Sequence, residues 1–375
     1  MTGKYQICNR CVMDTTDPEI QFDENGICNH CRQYDESVKR FVIDGKEGKE
    51  KLQHIVDGIK ESGKGKEYDC IIGVSGGVDS SYVAYKVKEL GLRPLAVHLD
   101  NGWNSELAVK NIELFLKKLN IDLYTHVLDW EEFKDLQLSF LKASTPDSEI
   151  PTDHAIWAVL YEMADQIKTK YVIFGCNIRT ESHLPRSWSQ GHMDWKYIKS
   201  IQHQFGNLPL NTFPHMDFVR YRQNLSHHKS INILNYLDYS KKEAMKILEN
   251  ELGWKYYGGK HYESIYTRFY QGYILPQKFG YDKRRLHFSS LICSGEITRT
   301  EAIEELKNEP YPIELQSQDK AYVIKKFGIT EREFEDIMSL PKKRFEDYPS
   351  YEKSIYSSIF FKILTKCYRI VRRIS

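Results

Sequence analysis

Two hydrophobic periods divide the chain. From about residue 67, short apolar runs alternate with longer stretches in which apolar side chains recur at helical spacing. Cys70, Ile71, Ile72 and Val74 make the first run, and Tyr82, Val83, Val87 and Leu90 then fall on one side of a helix. The pattern predicts strands at 69–74, 94–99, 122–128 and 171–175, and helices at 79–90, 104–119, about 131–143 and 154–169. Strands alternating with helices predict an α/β fold, a doubly wound parallel sheet covered on both faces. Ligands of such sheets lie beyond the carboxyl ends of the strands. Three polar stretches fall there: Val74 to Ser80, His98 to Trp103 and Gly175 to Ser182.

Outside this region the pattern changes. Residues 33–66 read as a charged helical connector, and Ser240-Lys-Lys-Glu243 has the form of a capping box, predicting helix 241–252. Helical spacing continues beyond 260. The expected organisation is therefore a cysteine-bearing segment (1–35), a connector (36–66), an α/β domain (67–240), a helical subdomain (241–345) and a tail (346–375).

Lys plus Arg number 53 against 52 Asp plus Glu, so no overall field recruits nucleic acid. The first residues are polar and no apolar run could span a membrane, which predicts a cytoplasmic protein. Eight cysteines in such a chain point to metals or chemistry rather than disulfides. Cys8-Asn-Arg-Cys11 and Cys28-Asn-His-Cys31 pair two thiolates each, sixteen residues apart, with a hairpin turn at Glu24-Asn25-Gly26 between them. That spacing predicts a four-cysteine, closed and therefore structural Zn²⁺ site. A redox dithiol is disfavoured by the matched pairs.

The stretch Ser75-Gly-Gly-Val-Asp-Ser-Ser81 joins a strand to a helix. Backbone N–H groups in the turn and the helix N-terminus then face whatever sits there, and an anion suits the place. An ordinary Gly-Gly turn with a serine cap is the plain alternative. The stretch is neither a Walker A loop nor GxGxxG; it resembles the pyrophosphatase loop of ATP α-hydrolase enzymes, among them the asparagine, GMP, NAD and argininosuccinate synthetases. The resemblance implies that Ser75, Gly76, Gly77, Ser80 and Ser81, entered from Val74, cradle pyrophosphate, with Asp79 on Mg²⁺. It also places His98 and Asp100 near adenine and ribose, although Asp100 is nearly as good an N-cap for the next helix. Gly175 would admit close backbone approach, and Asn177 would donate to phosphate or substrate. Cys176 is either a nucleophilic thiol or a small buried residue at a strand end.

With the cysteine pairs, Thr152-Asp-His-Ala-Ile-Trp157 and the long Gly258–Arg299 stretch added, residues 5–345 resemble the bacterial N-acetyl sugar amidotransferases of surface-polysaccharide and flagellar-glycan synthesis. What the resemblance implies is ATP-dependent conversion of a sugar acetamido group into an acetamidino group through an adenylated imidate. Asp79, Ser80, Lys283 and Arg284 are the catalytic candidates; Lys260, Arg268 and Arg285 supply further cations, though charge runs are commonly solvated faces. Asp153 and His154, on a helix with Trp157, and His183, Trp188 and His192 in an aromatic, arginine-bearing stretch are candidates for the nucleotide-sugar site. That stretch could equally be a loop packed by its own aromatics. No cysteine lies in a glutaminase elbow, so a partner class I glutaminase, or free ammonia, is expected to supply nitrogen. The runner-up is a tRNA sulfurtransferase, which would need an activated thiol and a basic surface. Beyond Tyr351 the tail is amphipathic and basic, fitting either docking on protein or peripheral contact with the inner membrane.

Overall fold

A computed structural model describes residues 5–356. Of the amphipathic tail, expected either to dock on protein or to touch a membrane, residues 357–375 lie outside the described residues. Fifteen α-helices and five strands follow in chain order. The helices are α1 (Asn29–Phe41), α2 (Gly45–Ser62), α3 (Val78–Glu89), α4 (Glu106–Leu119), α5 (Trp130–Ala143), α6 (Ile150–Gln166), α7 (Ile178–Glu181) and α8 (Trp195–Phe205). Then come α9 (Phe218–His227), α10 (Lys241–Ile247), α11 (Ile265–Phe269), α12 (Arg284–Cys293), α13 (Arg299–Glu305), α14 (Ile313–Phe327) and α15 (Glu331–Ser339).

The strands β1 (Cys70–Gly73), β2 (Pro94–Asp100), β3 (Asp122–Val127), β4 (Tyr171–Ile173) and β5 (Lys229–Ile231) form one sheet of order β3-β2-β1-β4-β5, parallel throughout. This is the predicted doubly wound sheet. Its strand alternation sorts the faces. Cys70, Ile72, Ala96 and Ile173 pack on α2, α3 and α4, while Ile71, Leu95, Val97 and Val172 pack on α6. β5 was not anticipated: three residues with two exposed offer no apolar run to read.

Packing joins what the sequence seemed to divide. Leu52, Val56 and Ile59 of the connector sit in the core beneath β1. Trp103, Phe133 and Ile198 share another core with Tyr266, Phe269, Val323 and Phe334. The C-terminal helices thus share a buried cluster with α5 and α8. The backbone agrees: Ser105 N–H donates to Glu263 O (2.8 Å) and Ile265 N–H to Trp103 O (2.9 Å), a short ladder between the β2 loop and the start of α11.

The expected capping box is not made. Ser240 precedes α10 but its side chain caps nothing. The Glu296 carboxylate instead accepts from Lys241 N–H (3.3 Å). The helix then continues as a π-helical turn, Leu248–Leu252. Among the described residues no helix is long and apolar enough to cross a membrane.

Candidate active site

In the sheet order, β1 lies between β2 and β4, so the chain leaves β1 in opposite directions. A cleft of about 440 Å³ opens there, beyond the carboxyl ends of the strands. Its floor is the glycine loop. Gly76 adopts φ +80° because the loop must turn against α4, where a Cβ would stand 2.8 Å from Ala108 O. Trp254 Nε1 donates to Gly76 O (2.9 Å) and pins the turn from behind. Ser75 and Ser80 face each other, Oγ to Oγ 3.2 Å, and Gly77 N–H donates to Ser75 Oγ (3.3 Å). α3 starts at Gly77, which has no side chain to cap it. Gly175, at the end of β4, presses on the same helix start: a Cβ there would stand 2.9 Å from Ser80 N. The hydroxyls and the uncapped helix end make an anion cradle.

One wall is built around Asp79. Burial, and then the charge of Glu181, push its carboxyl up, against the pull of Lys241 and Lys260. The Tyr239 hydroxyl donates to its Oδ1. Burial also opposes ionisation of Glu181, but Lys260 (Nζ to Oε1 3.2 Å) and His261 outweigh it and hold that group below its ordinary range. Glu263 adds a buried Oε2 without a partner among the described residues. Two carboxylates on one cleft and an orphaned carboxylate oxygen are a hard-oxygen donor set, which fits Mg²⁺ held jointly with phosphate oxygens.

A second charged group in the cleft is Asp147, Glu149, Asp153, His192 and Lys283. Burial opposes ionisation of Asp147, yet Lys283 and His192 hold it well below the usual carboxylate range. Burial pushes Glu149 up to about 7, although Lys283 pulls the other way. Thr267 Oγ1 and Gln271 Nε2 (3.2 Å) donate to the two Glu149 oxygens. His192 Nε2 lies 3.4 Å from Asp153 Oδ2.

Many of the expected residues therefore meet: Val74, Ser75, Gly77, Asp79, Ser80, His98, Asp153, Gly175, Lys260 and Lys283, together with His192, line one cleft. His98 Nδ1 donates to Val74 O (2.8 Å), leaving Nε2 to accept from Asn104 Nδ2 (3.1 Å); burial lowers its pKa and keeps the ring neutral.

Others are used elsewhere. Ser81 lies on the buried face of α3. Asp100 Oδ1 accepts from Gly102 N–H (2.9 Å) and Asn104 Nδ2 (3.1 Å), tightening its own turn, and Ser105 caps α4. Asn177 caps α7 through Thr180. His154 is buried, its pKa pushed down to about 4 by desolvation; Nδ1 donates to His192 O (2.7 Å) and Nε2 accepts from Met216 N–H (3.0 Å). Trp188 stacks on Tyr281, 4.8 Å between centroids. His183 sits beside Cys293, Sγ to Nε2 3.7 Å. Arg268 forks onto Asp319, both contacts 2.7 Å. Arg284 binds Asp282 and the carbonyls of Glu305, Asn308 and Glu309. Arg285 reaches Asp14 (3.0 Å) and Val12 O (2.9 Å). Cys176 is not a buried core residue: it faces the cleft, and desolvation and the charges of Glu181, Asp79 and Asp153 push its thiol up to about 12. Glu149, Glu181, Lys241 and Tyr257 were missed; the acid-rich Asp147–Asp153 stretch at the start of α6 was the available signal.

The cysteine pairs come together as expected. Sγ distances are 3.9 Å for Cys8 to Cys31, 3.7 Å for Cys11 to Cys28 and 3.7 Å for Cys28 to Cys31, the edges of a tetrahedron with metal–sulfur bonds of about 2.3 Å. All four are buried, so the set fits structural Zn²⁺. Arg285 to Asp14, Arg299 to the carbonyls of Cys8 and Cys11, and Ser289 to Val12 N–H fasten this segment to α12 and α13.

Residues 263–364 match the family model described as LPS biosynthesis protein WbpG-like, C-terminal domain. This stretch of the chain is similar to that domain. The WbpG-like stretch contributes Ser264, Thr267, Gln271 and Lys283 to the cleft. No curated protein matches the chain. Among solved structures, NMN synthetase from Francisella tularensis is 16% identical over 80% of this chain and 99% of its own, at TM-score 0.32. NH3-dependent NAD synthetase from Campylobacter jejuni is 15% identical over 78% and 98%, at TM-score 0.30. A predicted tRNA methyltransferase subunit from Methanocaldococcus jannaschii is 16% identical over 48% and 72%, at TM-score 0.28. Likenesses this distant leave the functional reading to the chain's own geometry.

Proposed function

We propose that the protein is an ATP-dependent, AMP-forming amidotransferase that converts the acetamido group of a nucleotide-linked sugar into an acetamidino group. The observation that carries this reading is the meeting of the glycine loop and the WbpG-like residues in one cleft. An amide oxygen is a poor leaving group. Its attack on the α phosphorus of ATP expels pyrophosphate and gives an imidate ester; ammonia then adds to the imidate carbon and AMP departs. The loop hydroxyls and the α3 N-terminus receive the pyrophosphate. Mg²⁺, held by Asp79 and Glu181, would neutralise charge developing on the phosphates. Lys283 orients the acceptor, and Glu149, tuned near neutrality, takes a proton from the incoming nitrogen.

A partner glutaminase supplying ammonia, peripheral membrane contact through the tail and surface-glycan synthesis as the setting belong to the same proposal. The sulfurtransferase alternative is disfavoured by Cys176, whose raised pKa denies it a thiolate. Incubation with ATP, Mg²⁺ and NH₄Cl over a panel of UDP- and CMP-linked acetamido sugars tests the reading. Expected is the mass change of exchanging an oxygen for NH, with one AMP per amidine. AMP formation only with tRNA and a sulfur donor would overturn it.

A further inference from the structure

Beside the four-cysteine cluster stands a second group of metal-binding side chains. Cys31 Sγ, His183 and Cys293 bring their ligand atoms within 4.8 Å of one another. Cys31 Sγ is 3.9 Å from Cys293 Sγ, which is 3.7 Å from His183 Nε2. Those separations match the edges of a tetrahedral site with metal–sulfur bonds of about 2.3 Å and metal–nitrogen bonds of about 2.0 Å. The three residues come from α1, the stretch after α7 and the end of α12, so no local turn explains their meeting.

We propose that these residues bind a second Zn²⁺, bridged to the first through the Cys31 thiolate. Two independent features point the same way. His183 is fully buried, and its Nε2 faces a thiol, a weak partner for a buried ring nitrogen. Its other nitrogen, Nδ1, is held by Ser290 Oγ (3.0 Å), itself fixed by donating to Leu286 O (3.2 Å). A metal-binding imidazole commonly has its remaining nitrogen oriented in this way. Trp188 and Leu286 pack in the same buried cluster, with Cys293 half-buried at its edge. Thiolate and imidazole ligands select zinc over magnesium. A second dication also offsets the negative charge that four thiolates leave on the first. Three protein ligands leave one position for water.

Zinc and protein measured on the full-length chain, purified with zinc present, should give two ions per chain. His183→Ala and Cys293→Ser should each give one, without loss of the Cys8, Cys11, Cys28 and Cys31 ion. Cadmium-substituted protein should show two cadmium NMR resonances, coupled through the shared sulfur. If either ligand variant misfolds, Ser290→Ala decides: affinity for the second ion should fall about 10- to 100-fold. One ion or none in the native chain, counts unchanged in both ligand variants, or unaltered affinity in Ser290→Ala would overturn the site.

Discussion

The cysteine cluster and the cleft both gather polar groups from distant segments, yet leave them in opposite conditions. In the first, four buried sulfurs stand at mutual distances that a small cation satisfies, and the arginines nearby are already engaged, Arg299 by backbone carbonyls, Arg285 by Asp14 and Arg10 by Asp35. In the second, carboxylates outnumber the lysines that face them, burial drives Asp79, Glu149 and Asp153 towards protonation, and a Glu263 oxygen has no partner among the described residues. A group satisfied by its neighbours holds structure together. A group left in tension is ready for a ligand.

The largest effect expected from breaking this contrast is at the cysteines. Cys28→Ser with Cys31→Ser removes two of the four ligands of the four-cysteine ion and the sulfur shared with the second, and structural zinc is worth on the order of 10 kcal/mol. Metal analysis should find the zinc gone, and limited proteolysis should cut within residues 5–35. Retained zinc would show that the cluster is not what holds it.

Next is Asp79→Asn, which keeps shape and removes charge. Turnover of ATP to AMP should fall roughly 100-fold or more, on the scale of losing one charge-stabilising group. Circular dichroism should be unchanged. Near-normal turnover would remove Asp79 from the chemistry.

Glu149→Gln sharpens the contrast through pH. Burial raises the Glu149 carboxyl from 4.5 to about 7, so the folded state favours the protonated form. Its stabilising contribution is complete at low pH, falls as pH rises from 4.5, and is gone above about 7. Because the cleft is open to solvent, the swing should be about 2 kcal/mol or less. Urea unfolding at several pH values should show this loss in the native chain and a flatter profile in the variant. Identical profiles would refute the assignment.

The smallest effect expected is at Gly175→Ala. The new Cβ would meet Ser80 N and the Asp79 carbonyl carbon, backbone atoms that yield little. KM for ATP should rise about tenfold, equivalent to about 1.4 kcal/mol. An unchanged KM would mean that the helix start gives way without cost.

The loop was legible because its arrangement is local: strand, turn and helix start are contiguous, and Gly76 needs its positive φ wherever the remainder folds. The cysteine pairs were legible for the same reason, since each Cys-x-x-Cys is a single turn. The cations of the C-terminal half were not. Lys283 and Arg284 are neighbours at a helix start, where successive residues diverge by about 100°, so one faces the cleft and the other Asp282. Arg268 was claimed by Asp319, some fifty residues away. Asp100 and Asn177 show the local side of the reading, since a short polar side chain at a strand end bonds first to its own turn or helix. Glu149 and Glu181 carry no motif; their meaning arises only when burial and opposing charges are assembled around them.

The short ladder between residues 103–105 and 263–265 has a kinetic consequence. The strip that follows β2 and the strip that opens the family-matched stretch are hydrogen-bonded to one another, above a shared aromatic core. Neither side can swing open on a hinge without breaking that ladder. It follows that the two substrates meet a cavity whose shape was settled during folding. Association should then be governed by diffusion into the mouth and shedding of water, and saturation curves for ATP should show no slow isomerisation phase.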